Sequence, residues 1–93
     1  MSNEIYSGSK FRICLKNGQK LEFILADSFD AGYTFQLVCI NGYDAGKIFG
    51  QIKDQEKFKR QMMAAIDEQF LILEIERNVL DFDKSIPVEF IQG

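Results

Sequence analysis

Catalysis at neutral pH would have to rest on carboxylates in this chain, because its 93 residues include no His and only two Cys. Without imidazole there is no common general base, no Ser-His or Cys-His nucleophile pair, and no basis for most zinc or iron ligand sets. Cys14 and Cys39 stand far apart in apolar runs. They read as small core hydrophobes, with a disulfide or a reactive thiol as the competing reading. Asp81 and Asp83, two residues apart, could hold a hard cation or work as an acid–base pair. Calcium, however, takes six to eight oxygens, and Asp81, Asp83 and Ser85 are the only side-chain donors in that stretch. A polar loop is the better reading there, and the same holds for Asp27 and Asp30. Glu74 and Glu76 would share a face on a strand but not on a helix. Gly42, Gly46 and Gly50 recur every four residues without the Gly-Lys-Ser/Thr ending of a phosphate loop, so they read as turn and strand-edge glycines. The sequence therefore predicts no enzyme, no cofactor and no metal.

Binding is better served. Phe29 and Tyr33 border a loop that also carries Asp27 and Asp30, and Tyr43 and Asp44 follow the turn signal Asn41-Gly42. An aromatic beside acids on a loop suits a basic protein partner, since Tyr and Phe supply contact area at little entropic cost. The competing reading makes Phe29 a plug at the open end of the core, with both tyrosines half-buried at its rim. Asp27, Phe29, Asp30, Tyr33, Tyr43 and Asp44 are the candidate partner-binding residues.

Net charge is −3 and is unevenly placed. Residues 1–50 carry five acidic and five basic side chains, whereas residues 51–93 carry nine acidic and six basic. An acidic chain without a basic stripe is poorly suited to nucleic acid, because phosphate contacts supply most non-specific affinity. It is better suited to a basic protein surface, where opposite fields speed encounter. Mild acidity also serves solubility alone. No run reaches the eighteen apolar residues of a membrane span, and the start Met-Ser-Asn-Glu-Ile-Tyr lacks the features of a signal peptide, so a cytoplasmic protein is expected.

The elements that must position these residues follow from periodicity. Alternation of Phe11, Ile13 and Leu15, then Leu21, Phe23 and Leu25, predicts a β-hairpin. A two-residue Asn17-Gly18 turn would oppose Ile13 to Glu22. A three-residue loop, Lys16-Asn17-Gly18 with Gly18 left-handed, instead pairs Ile13 with Leu21 and Phe11 with Phe23, and is preferred. Asp27–Gly32 reads as a loop. Tyr33–Ile40 reads as a third strand, apolar on both faces at Leu37–Ile40 and hence central and covered on both sides. Residues 44–52 form a short or irregular fourth strand, with Gly46 and Gly50 weakening it or allowing close approach.

Asp54 can cap a helix beginning at Gln55, whose apolar stripe is Phe58, Met62, Ala65 or Ile66, and Phe70. Residues 70–80 fit a helix capped by Asp67, burying Leu71, Ile72, Ile75, Val79 and Leu80, about as well as they fit a strand. Helix is preferred. Pro87 introduces a last strand, Val88–Ile91. The expected architecture is one α+β domain over residues 1–93, an antiparallel sheet of four to five strands packed against one or two helices.

The segment Leu37-Val38-Cys39-Ile40-Asn41-Gly42-Tyr43-Asp44-Ala45-Gly46 resembles small immunity proteins of bacterial polymorphic toxin systems. In those proteins an apolar strand runs into a Gly-Tyr-x-Ala-Gly turn, a helix follows, and the chain closes on a short strand, here Pro87–Ile91. The match covers about ten residues, and the chain lacks the Trp that such proteins often carry. The resemblance implies a cytoplasmic inhibitor that binds a cognate toxin, such as a basic nuclease, and blocks it. It carries over no contact residues. A structural module acting through homodimerisation is the second reading.

Overall fold

Period-two apolar patterning is expressed in a computed structural model that describes residues 4–54 and 65–91. The described strands are β1 (Glu4–Tyr6), β2 (Lys10–Cys14), β3 (Lys20–Asp27), β4 (Tyr33–Cys39), β5 (Ile48–Lys53), β6 (Ala65–Asp67) and β7 (Glu89–Ile91). One helix, α1 (Glu68–Asn78), lies between β6 and β7. Five strands form an antiparallel sheet in the order β5-β4-β3-β2-β7, and β1 pairs antiparallel with β6 in a separate two-stranded ribbon. The fold is α+β and mostly sheet.

The β2–β3 hairpin has the register that parity demands. Phe11 pairs with Phe23, Ile13 with Leu21, and Gly18 is left-handed at φ 89°. A slip by one residue would have turned every apolar side chain of β2 to the opposite face. Phe11, Ile13, Phe23, Leu25, Phe35, Leu37, Cys39 and Ile52 are buried on one side of the sheet. Leu71 and Ile75 from α1 and Val79 just after it complete this core, with Ile5 and Ile66 from the ribbon and Phe82 and Val88 from the C-terminal segment. Stacked Phe11 and Phe23 rings lie 5.8 Å apart, and Phe49 meets Phe23 edge-on at 5.0 Å. Each fully buried aromatic or aliphatic side chain contributes about 1.5–3 kcal/mol, so the sheet's inner face dominates stability.

Asp67 caps α1, its Oδ1 accepting from the Phe70 N–H at 2.8 Å, and residues 70–78 are helix while Val79 and Leu80 lie beyond its end. Arg12 links three adjacent strands on the outer face, reaching Glu22 at 3.5 Å and Glu89 at 3.2 Å. Gly50 faces Asn78 so closely that a Cβ would overlap its carboxamide, which accounts for a glycine inside β5.

Several expectations require correction. β4 is an interior strand but ends at Cys39, and its outer face is not fully buried. Val38 is half-buried and Ile40 exposed, with Val38 flanked in register by Ile24 and Ile48. Side-by-side neighbours on a sheet shade one another without a covering layer. Ala65 and Ile66 belong to β6, not to a helix, because β1 offers them a pairing partner. Leu80 is 88% exposed, since α1 ends at Asn78 and Val79 takes extended geometry, rotating the next side chain off the buried stripe. The helix expected from Gln55, with Phe58 and Met62, lies outside the described residues.

Candidate functional site

Asp27, Phe29, Asp30 and Tyr33 gather where β3 turns into β4. The loop between them is held from the neighbouring strand. Ser28 donates through Oγ to Gln51 Oε1 at 2.5 Å, and Gln51 Nε2 donates to Asp30 Oδ2 at 2.8 Å. Ser28 N–H donates to Thr34 O at 3.0 Å and Tyr33 N–H to Asp30 O at 3.2 Å. On the far side, Asp54 N–H donates to Gly32 O at 2.9 Å, and Thr34 Oγ1 donates to Asp54 Oδ1 at 2.5 Å. Gly32 takes a left-handed φ of 88°, which lets the chain re-enter β4.

The loop therefore has little freedom, and at its tip Phe29 is 96% exposed. Leaving an aromatic ring in water forgoes its burial free energy, so Phe29 is not the core plug that the competing sequence reading allowed. Tyr33 is half-buried, beside a groove of about 760 Å³ between β5 and α1. Asp27, Asp30 and Asp54 are all exposed at this end.

Tyr43 and Asp44 lie elsewhere. They occupy a single 3₁₀ turn, Gly42–Asp44, in the connection from β4 to β5. That turn is also well bonded: Gly46 N–H donates to Cys39 O at 2.7 Å and Lys47 N–H to Asp44 O at 2.9 Å. Asn41 Oδ1 accepts from Glu22 N–H at 2.9 Å and ties the turn to β3. Tyr43 is fully exposed. The two candidate segments flank opposite ends of β4, seven residues long, so they stand roughly 20 Å apart. They do not form one continuous patch.

Gln51, Ser28 and Thr34, which fix the Phe29 loop, are not singled out by the sequence, and Asp54 is marked there only as a helix cap. Only strand register brings Gln51 beside a loop more than twenty residues earlier, so periodicity carries no signal for it.

The carboxylates of Asp83, Glu74 and Glu76 have structural partners. Asp83 accepts from Ser85 Oγ at 2.5 Å and from Ser85 N–H at 3.1 Å. These bonds hold its carboxyl below the usual carboxylate range, with a smaller contribution from the charge of Lys16. Asp81 takes a left-handed φ of 65°, and its carbonyl accepts from Lys16 N–H at 2.8 Å. Glu74 pairs with Arg77 and Glu76 with Lys84. Both cysteines are free thiols, Cys39 buried and Cys14 half-exposed on the outer face. Among the described residues, no three His, Cys, Asp or Glu side chains come together as a metal site. Among the same residues, no helix is long and apolar enough to cross a membrane.

No family model, curated protein or solved structure matches this chain.

Proposed function

We propose that this protein is a non-catalytic binding domain that docks a basic protein partner on the β3–β4 end of its sheet, in the manner of an immunity protein that blocks a cognate toxin. The observation that carries the reading is Phe29, a large apolar ring held fully in solvent on a loop cross-braced by Gln51 and Asp54. A rigid aromatic flanked by Asp27 and Asp30 offers buried area on docking, an attractive field for cations, and little ordering cost.

The β3–β4 end is preferred over Tyr43 on charge. The β3–β4 end carries three exposed aspartates, Asp27, Asp30 and Asp54, against Lys53, whereas Lys47 balances Asp44 at the Tyr43 turn. Inhibition would be steric, with Phe29 and its acidic neighbours covering a basic cleft such as a nuclease active site. The toxin-inhibitor part of this reading draws on the resemblance at Leu37–Gly46.

Capture from host lysate on the tagged protein, at low and high salt, tests it. One stoichiometric basic partner weakened by salt is expected. Concentration-dependent self-association with no second protein would favour an assembly module instead, for which β5, an edge strand with half-exposed Ile48, offers a pairing edge.

A further inference from the structure

The two Asn-Gly pairs are chemically alike but are held very differently. In any Asn-Gly sequence the glycine nitrogen can attack the Asn Cγ, because no side chain on the following residue obstructs it. A C–N bond forms, ammonia leaves, and water then opens the cyclic imide to aspartate or isoaspartate. Closure requires the Asn carboxamide to swing free and the Asn Cα–C bond to rotate until Cβ and the glycine nitrogen nearly eclipse. Structure controls the rate through the cost of reaching that arrangement.

We infer that Asn17-Gly18 is the site of spontaneous deamidation in the folded protein and that Asn41-Gly42 is protected. Asn41 has extended backbone, φ −136° and ψ 163°, far from the eclipsed arrangement. Its Oδ1 accepts from Glu22 N–H at 2.9 Å, and its carboxamide also lies 3.9 Å from Cys39 Sγ. Glu22 belongs to β3, the middle strand of the five, and Cys39 is buried. Freeing Asn41 therefore means loosening the contact of the β4–β5 connection with the centre of the sheet.

Among the described residues Asn17 bonds only within its own turn, which is tied to the Asp81 loop through Lys16 N–H donating to Asp81 O at 2.8 Å. Asn17 Oδ1 accepts from Gln19 N–H at 2.8 Å, and Gly18 N–H donates to Leu15 O at 2.9 Å. Residues 16–20 are all exposed. Fraying of such a tip disturbs no buried contact, and tips of this kind open at the lowest free energies in a domain. Each additional 1.4 kcal/mol of opening free energy slows a reaction from the open state about tenfold. The consequence is a negative charge appearing at position 17, between Lys16 and Lys20, while the Asn41 tie holding the Tyr43 turn survives.

The test is peptide mapping by mass spectrometry of protein aged in mildly alkaline buffer, folded and, in parallel, unfolded in urea. In the folded sample, conversion at Asn17 should outpace conversion at Asn41 by about tenfold or more. In urea the two should convert at similar rates. Equal rates in the folded protein, or Asn41 ahead, would overturn the assignment. So would the same preference for Asn17 in urea, since the bias would then belong to the sequence and not to the fold.

Discussion

Gly50→Ala probes the closest approach between α1 and the sheet. Gly50 pairs with Leu37 and faces the helix, where an added Cβ would overlap the Asn78 carboxamide. Asn78 cannot simply swing aside, because its Nδ2 donates to Glu74 O at 2.8 Å in the last turn of α1. Displacing it forfeits a hydrogen bond worth about 1 kcal/mol. Holding it in place shifts the helix, and overpacking of this kind costs about 1–3 kcal/mol. Against either stands a gain of about 0.5–1 kcal/mol from replacing a flexible glycine. At mid-range values a net loss of about 1 kcal/mol follows, read as a lower urea midpoint and a melting temperature lower by about 4–8 °C per kcal/mol.

The Asn78→Ala background isolates the cause. With the carboxamide gone, Gly50→Ala should be neutral or stabilising by about 0.5 kcal/mol. The coupling energy should then fall between about 1 and 1.5 kcal/mol, within the usual span for residues in contact. An equal cost in both backgrounds, or no cost in the parent, would refute the claim that Gly50 is there to admit Asn78.

Asp81→Gly should stabilise the protein by about 1 kcal/mol, because Asp81 holds a left-handed φ that only glycine adopts freely. Chemical denaturation will show the gain, and a loss would mean that its side chain makes a contact worth more than the strain. Ser85→Ala should raise the Asp83 pKa toward the ordinary carboxylate value, followed by carbonyl-carbon NMR titration. Because folding lowers the Asp83 pKa, the stability linked to it is present above the unfolded value and fades as pH falls through the folded one. That acid-side loss should be smaller in Ser85→Ala, and an unchanged profile would contradict it.

Much of the sheet was legible because its apolar side is strictly alternating. Phe11, Ile13, Leu21, Phe23 and Leu25 leave one register that keeps charges off the core, and the loop length follows from it. The α1 cap was legible too, since Asp67 precedes a helical stripe that Leu71 and Ile75 share. β1 and β6 were not. Three-residue strands carry too few positions for a period, and Ile5 and Ile66 acquire meaning only through each other. Leu80 misled because a stripe extrapolated past Asn78 ignores the change of backbone at Val79.

For the candidate site, loop position and residue type marked Phe29 and Tyr43 from the sequence. Their separation did not show there, because which end of a strand a turn occupies is a property of topology. Nor did the bracing of the Phe29 loop, which depends on Gln51 lying beside it across the sheet.

The most direct test of the proposed docking end compares partner affinity for the parent protein, Phe29→Ala and Tyr43→Ala, using the protein captured from host lysate and isothermal titration calorimetry. Phe29 is exposed, so its truncation should leave folding stability within about 0.5 kcal/mol, which denaturation will verify. Loss of an aromatic anchor costs about 2 kcal/mol or more, so Phe29→Ala should weaken binding roughly thirtyfold while Tyr43→Ala leaves it nearly unchanged. Unaltered affinity for Phe29→Ala, or a loss confined to Tyr43→Ala, would contradict the account.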